Sequence, residues 1–268
     1  MHKTDGSEVV FIKNFESRIM NNKRDIAVYL PESYKEDDNR SYPVLYMHDG
    51  QNLFTGIDDG SDIKWRVKET TDRLIKENKI QDIIIVGIYN NERRINEYTT
   101  SYVEKFKSGG RGGDYASFII QEIKPYIDSN YRTLKDRYNT AIAGSSLGGL
   151  ISFYIGWNYS DVFKKIGAIS PSFWWNSCEI IKEIEKYNGD KKDLKIWIDA
   201  GTAEETSDRN NNGVIDMVDD ARDMVSVLNK KGLKPNEEIM YLEVNEGKHN
   251  EKDWAERFDK FLIYMFSK

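Results

Sequence analysis

The sequence predicts an α/β fold, a mostly parallel central sheet with helices on both faces. Three observations carry this reading. Short strand-like runs recur along the chain, amphipathic stretches of helical period stand between them, and several strand runs are apolar without alternation, as strands buried on both faces are. The strand runs are "RDIAVYLP", "YPVLYMHDG", "DIIIVGIYN", "NTAIAGS", "KIGAISPS", "LKIWIDAG" and "EEIMYLEVN". The helical stretches are "WRVKETTDRLIKEN", "YASFIIQEIKPYIDSNY", "LGGLISFYIGWN", "DDARDMVSVLNKKG" and "EKDWAERFDKFLIYMF", each with apolar residues three and four apart. The early segment "SEVVFIKNFESRIMNNKRDIAVYLP" holds two strand runs around "NNKRD" and predicts an antiparallel hairpin at one sheet edge. "SGGRGG" (108–113) reads as a mobile loop before a helix. Without a repeat, linker or low-complexity tract, residues 1–268 are expected to form one α/β domain.

Composition narrows the partners. Hydrophobic residues make up 39% and aromatics 12% of the 268 residues, which excludes a disordered chain. A net charge of -6 and a pI near 5.3 leave no basic face to neutralise phosphate, so neither nucleic acid nor an anionic membrane is an expected partner. The longest apolar runs, such as Ile83 to Ile88, are too short to span a bilayer, and "MHKTDGSEVVF" lacks the apolar core of a signal peptide. The expectation is a soluble, cytoplasmic chain, with a secreted, trimmed protein as the alternative. Cys178 stands alone, so neither an internal disulfide nor a cysteine metal cluster can form. Oligomeric state is not legible.

"YNTAIAGSSLGGL" (138–150) passes from strand to helix through a corner with two serines. In a nucleophile elbow, G-x-S-x-G, the serine sits on strained backbone at the tip, and the positions two before and two after must be small. With Ser146 at the tip these are Gly144 and Gly148; with Ser145 they are Ala143 and Leu147, and the leucine would clash. A nucleophile here is therefore Ser146. It needs a base, and the base needs an orienting acid. Of three histidines, His2 lies in a polar N-terminus and His48 ends a strand, where a hydrogen-bonded structural role fits. His249, in "NEGKHNEKDW", follows the last strand and precedes a helix that Asn250 can cap. That is where the order Ser, Asp/Glu, His places the base. "LKIWIDAGTAEETSD" offers the acids Asp199, Glu204, Glu205 and Asp208. Asp199 is still within the strand and reads as structural. Glu204, three residues past Gly201, is the first choice, with Glu205 and Asp208 left open. Oxyanion donors are expected from the backbone N–H of Leu147 and from the loop "HDGQNLF", where Gln51 is the candidate.

Together these segments resemble a known family. "YMHDGQNLF", "IYNNERRINEYT", "GGDYASFIIQEIKPYIDSNYRT", "AIAGSSLGGL", "VFKKIGAISPSFWW", "IDAGTAEE" and "EGKHNEKDW" occur in the order seen in the putative-esterase family. That family includes feruloyl and acetyl-xylan esterases of carbohydrate esterase family one, enterochelin-type esterases, S-formylglutathione hydrolases and mycolyltransferases. The resemblance covers about Val9 to Phe266 and implies an α/β-hydrolase fold and a serine carboxylesterase acting through an acyl-enzyme. By it the triad falls on Ser146, Glu204 and His249, and the oxyanion amides on Gln51 and Leu147. The substrate would be a carbohydrate-linked acetyl or feruloyl ester, or a siderophore-type ester. Glutamate in place of the usual aspartate after "GT" is a departure, and the "SMGGHGA" helix of S-formylglutathione hydrolases is absent. "SFWW" is similar to the pocket-side segment of carbohydrate and siderophore esterases, which makes Trp174 and Trp175 candidate substrate-binding residues, with buried core the competing reading. Arg93, Arg94 and Glu97 are expected on a solvated loop. The alternatives are an acyltransferase on the same triad and a Ca²⁺-dependent binding module on an inactive hydrolase scaffold.

"DRNNNGVIDMVD" (208–219) adds a different chemistry. Oxygen ligands fall at EF-hand loop positions one, three and five (Asp208, Asn210, Asn212), glycine at six (Gly213), a carbonyl at seven (Val214), and carboxylates at nine (Asp216) and twelve (Asp219). Asp in place of Glu at twelve and the missing entering helix depart from the pattern. The expectation is no cofactor for catalysis and a structural Ca²⁺ that stiffens the loop holding Glu204. A Ca²⁺ site also hints at an extracellular setting.

Overall fold

A computed structural model describes residues 6–54 and 64–268; His2 lies outside them. Ten strands are described: β1 (Glu8–Ser17), β2 (Asn22–Leu30), β3 (Val44–His48), β4 (Ile84–Ile88), β5 (Tyr102–Val103), β6 (Ser108–Gly109), β7 (Thr140–Ser145), β8 (Lys165–Ile169), β9 (Lys195–Gly201) and β10 (Ile239–Val244). Eight of them form one sheet in the order β1-β2-β4-β3-β7-β8-β9-β10. The β1–β2 and β2–β4 pairs are antiparallel and the remainder parallel, so the predicted hairpin does stand at one edge. This is the α/β-hydrolase arrangement.

Helices flank the sheet: α1 (Val67–Lys76), α2 (Arg94–Glu97), α3 (Gly112–Phe118), α4 (Lys124–Asn130), α5 (Leu147–Asn158), α6 (Trp175–Lys186), α7 (Asp216–Lys230) and α8 (Glu251–Phe266). Strand residues alternate between two cores. Val28, Tyr46, Val86, Ile142, Ile166 and Ile198 pack with α3, α5 and α7, whereas Tyr29, Leu45, Ile85, Ala141 and Trp197 pack with α1 and α8. Ten of the twelve α5 residues are buried, which explains its apolar character on every side: it lies behind the elbow and between neighbouring elements.

Two expectations need correction, and one helix escaped the sequence reading. "SGGRGG" is not simply a loop, because Ser108–Gly109 pairs with Tyr102–Val103 in a small hairpin and α3 begins at Gly112. The single helix expected from Tyr115 is α3 and α4 joined through a π-helical turn, Ile119–Ile123. Helix α6 carried no clear helical period, and its first turn holds Asn176, Ser177 and Cys178 at left-handed φ between 47° and 59°.

Candidate active site

Each element of the site ends at the carboxyl edge of the parallel strands. β7 delivers Ser146 at its tip with φ 58° and ψ -125°, a conformation that side chains rarely adopt. The glycine rule inferred from spacing has a steric basis: a Cβ on Gly144 would lie 2.8 Å from the carbonyl carbon of Gly148. The serine is braced by the turn after β8. Its amide donates to the carbonyls of Ile169 (3.0 Å) and Ser170 (3.1 Å), and its carbonyl accepts from Ser172 N–H (3.0 Å). Ser145 by contrast is buried and paired within the strand ladder. The Ser146 hydroxyl lies 3.3 Å from Ser172 Oγ.

His249 and Glu204 meet at 2.8 Å, Nδ1 to Oε2. An ionised carboxylate only accepts, so Nδ1 carries a proton, and in the neutral ring this leaves the lone pair on Nε2. The imidazole is about one-third exposed, while the Glu204 side chain is fully buried. Trp254 supports the imidazole edge-to-face, at 5.0 Å and 84°. Burial pushes the Glu204 carboxyl up, but hydrogen bonds from His249, Ser170 and the Gly201 amide (2.7 Å) outweigh it and hold the group below its ordinary range. The other acids are occupied elsewhere. Glu205 accepts from Met217 N–H (2.8 Å) and Ser207 Oγ (3.1 Å), so it serves the first turn of α7. Asp199 accepts from the Trp197 indole (2.6 Å) and the Ser170 amide (3.1 Å), within the core. Asn250 caps α8 by accepting from Asp253 N–H at 3.0 Å.

Gln51 lies in the short 3-10 turn Gly50–Asn52 directly after β3. The turn presses on β4 so closely that a Cβ on Gly50 would sit 2.6 Å from the Gly87 carbonyl carbon. Among the described residues, the amides of Gln51 and Leu147 donate to no backbone acceptor. The turn is pinned from outside. Asp49, at φ 56°, holds Arg94 through two 2.8 Å contacts and Asn90 through one of 2.5 Å, and Gln51 Oε1 accepts from Asn90 N–H at 3.2 Å. The solvated-loop expectation therefore fails for Arg94, which is engaged with Asp49, and for Glu97, which is buried against Arg24 at 2.9 Å. Arg93 is exposed, with Glu92 3.9 Å away. His48 is a structural residue as expected. It is buried, it meets Tyr115 OH through Nδ1 at 3.0 Å, and burial holds it down to about 3, so it stays neutral.

The two tryptophans separate. Trp175 is buried, bonded to the Ser101 carbonyl (3.1 Å) and stacked on Phe106 (5.2 Å, 20°). Trp174 is half-buried and stands 6.0 Å from Phe106 at 56°. Phe106 is 43% exposed, so Trp174, two residues after Ser172, and Phe106 form an open aromatic corner. Phe106, Ser170, Ser172 and Arg257 were not foreseen. Ser170 and Ser172 stood in plain view in "SPSFWW", and Arg257 interrupts the apolar stripe Trp254, Phe258, Phe261 of α8, which is the mark of a buried polar contact.

In the 208–219 loop, Asp208 accepts from the amides of Asn212 (3.1 Å) and Gly213 (2.9 Å), and Gly213 has the left-handed φ of 82° expected at position six. Asn210 and Asn212 both direct their amides to Asp219 Oδ2 at 2.8 Å. Asp216 does not join them. It accepts from Ser207 Oγ (2.8 Å) and Arg209 N–H (3.0 Å). Val214 follows as its amide donates to Asn212 Oδ1 at 2.7 Å. Among the described residues, no three His, Cys, Asp or Glu side chains are grouped around a metal position.

Comparison with known proteins decides the family: residues 17–265 match the model of the family described as "Putative esterase". The chain belongs to it. The esterase is thus a carboxylic ester hydrolase. It is 27% identical over 253 residues to the uncharacterized protein YbbA of Bacillus subtilis (strain 168), covering 91% of this chain and 93% of that protein. It is 24% identical to the ferri-bacillibactin esterase BesA of the same organism, over 87% and 85% of the two chains. A solved ferulic acid esterase superposes with a TM-score of 0.72 at 23% identity, covering 97% and 98% of the two chains, a likeness of fold. No helix among the described residues is long and apolar enough to cross a membrane.

Proposed function

We propose that the esterase works through a Ser146–His249–Glu204 triad and an acyl-enzyme, with residues 1–268 acting as one domain. The observation that carries this is the 2.8 Å contact of His249 Nδ1 with the buried Glu204, on the same sheet edge as a serine held on strained backbone. In this reading the Ser146 hydroxyl, 3.3 Å from Ser172 Oγ in the structure, turns to His249 Nε2 when substrate is bound. His249 then takes the proton as Oγ attacks the ester carbonyl and returns it to the departing alcohol, and water repeats the cycle to release the acid. The amides of Leu147 and Gln51 hold the oxyanion, for which their freedom from backbone partners is the supporting observation. A fluorophosphonate probe should label the protein at Ser146, detected by peptide mass; an intact protein that stays unlabelled would refute the nucleophile.

The corner formed by Trp174 and Phe106 favours a flat ring on the substrate, with Trp175 as its buried backing. Relatives supply the chemistry to try: BesA is named for ferri-bacillibactin. A protein of Xylanibacter ruminicola named as an endo-1,4-beta-xylanase/feruloyl esterase is 29% identical over 150 residues, which is 19% of its length. A small-molecule ester that carries a flat ring, of the feruloyl or the siderophore type, is the reading that fits both.

The 208–219 loop suits Ca²⁺ in its donor chemistry, with Asp208, Asn210, Asn212 and Asp219 linked by hydrogen bonds; the Val214 carbonyl and Asp216 would have to turn in to complete the set. Glu205 ties this segment to α7 while its neighbour Glu204 holds His249, so an ion here would stiffen the acid. Adding millimolar Ca²⁺ to chelator-treated protein should raise the melting temperature by several degrees. An unchanged melting curve would remove the ion from the account.

A further inference from the structure

The buried groups beneath the triad acid form a charge arrangement with a use beyond packing. Arg257, on α8, is 3% exposed, and its Nη2 is the meeting point of three acceptors. It lies 3.0 Å from Asp199 Oδ1 and 3.2 Å from Glu204 Oε1, and it donates to Ser170 Oγ. Nε and Nη1 of the same guanidinium are buried with no hydrogen-bond partner. A guanidinium usually spreads its donors over a planar fork. Here one nitrogen makes every polar contact, so the side chain is placed for that point. Ser170, at the left-handed φ of 41°, completes the hub: its hydroxyl donates to Glu204 Oε1 and accepts from the Trp254 indole at 3.0 Å.

Two carboxylates, Asp199 and Glu204, with side chains fully buried, therefore share one cation. Resting on the triad reading above, we propose that Arg257 is a positioning residue that cancels the charge of Asp199 and clamps Glu204 Oε1. His249 then faces a single net negative charge from a carboxylate whose other oxygen is fixed. Burial pushes the Asp199 carboxyl up against the opposing pull of Arg257 and the Trp197 indole, so its ionisation leans on that cation. Two uncompensated buried carboxylates would resist joint ionisation, and Arg257 without Asp199 would neutralise the acid. With all three present the sum is minus one, the charge that an imidazolium requires.

The remaining charged groups near the imidazole are constant in the test. Glu205 is engaged with Met217 and Ser207, and Glu251 with Asn52 Nδ2 at 3.1 Å. Asp253 accepts from Lys248 N–H at 2.5 Å, and Lys248 precedes His249 in the loop.

The experiment is the pH profile of kcat/KM for p-nitrophenyl acetate in wild type, Arg257→Met, Asp199→Asn and the double variant. Removing the cation stabilises the imidazolium and favours protonation of Glu204, so Arg257→Met should move the acid limb up by about one pH unit. Asp199→Asn leaves the cation uncompensated and should move it down by a similar amount. The double variant restores the net charge and should return the limb to its wild-type position. A merely structural pair would lower activity without this opposed, self-cancelling pattern. Limbs that coincide in all active variants would overturn the proposal. If Arg257→Met does not fold, Asp199→Asn against the double variant still decides, because the proposal requires their limbs to differ. Loss of the triad reading itself would show separately, as full activity in Ser146→Ala.

Discussion

Ser146→Ala should lower kcat for p-nitrophenyl acetate by at least about 10³-fold, with a melting temperature within a few degrees of wild type. The substitution removes one oxygen whose hydrogen-bond neighbour is Ser172 Oγ, at a long 3.3 Å. The strained φ of 58° stays, and an alanine there meets the same backbone cost as the serine it replaces. The elbow remains braced by the Ile169, Ser170 and Ser172 backbone contacts, which involve no side chain of Ser146. Chemistry is lost while the fold is not. Residual turnover would come from the oxyanion amides and substrate positioning. Undiminished activity, measured on protein shown to be free of host esterase, would move the nucleophile elsewhere.

Glu204→Gln should cost about 10³-fold or more in kcat with a small effect on KM. The amide keeps the shape of the carboxylate but offers no charge to the imidazolium. Its Nδ1 contact must also choose between the carboxamide oxygen and NH₂, and the second choice flips the tautomer that leaves Nε2 free. On the Oε1 side, Ser170, Gly201 N–H and Arg257 all donate, so the carboxamide oxygen is drawn there and the NH₂ is left facing His249. Glu205→Gln is the contrasting variant. Its carboxylate holds the Met217 amide at the start of α7, so it should affect melting temperature more than kcat. Equal kinetic losses in the two variants would dissolve the distinction between the neighbouring acids.

The parts of this molecule that the sequence announces are those where one pattern dominates. Unbroken apolar runs such as "DIIIVGIYN" can only be buried strands, and β4 is indeed buried along its length. The elbow is legible because two glycines at fixed spacing have a single steric reason. What the sequence leaves open depends on direction. Glu204 and Glu205 are chemically near-equal and adjacent, and only the turn after β9 decides that one faces His249 and the other α7. Trp174 and Trp175 divide in the same way, one to a corner and one to the core. Helix α6 is hidden by its left-handed first turn, and the β5–β6 hairpin by strands of two residues each, too short to show a period. Arg257 is the instructive miss. A cation on an apolar helical stripe signals a buried partner, but its partners come from β9 and the turns after β8 and β9, which no local pattern connects.

The four-residue turn 169–172 has a wider meaning for how this esterase can change. It contributes no member of the proposed triad, yet its backbone grips the nucleophile, its Ser170 hydroxyl grips the acid, and Ser172 sits beside the reacting oxygen. A displacement there reaches both ends of the proton relay together, so substitutions at 170 and 172 should combine non-additively with those at 146 and 204. The aromatic corner begins only two residues later and carries none of these ties. Diversification of substrate has room on that outer side of the turn, and the inner side is where drift in sequence is felt as loss of turnover.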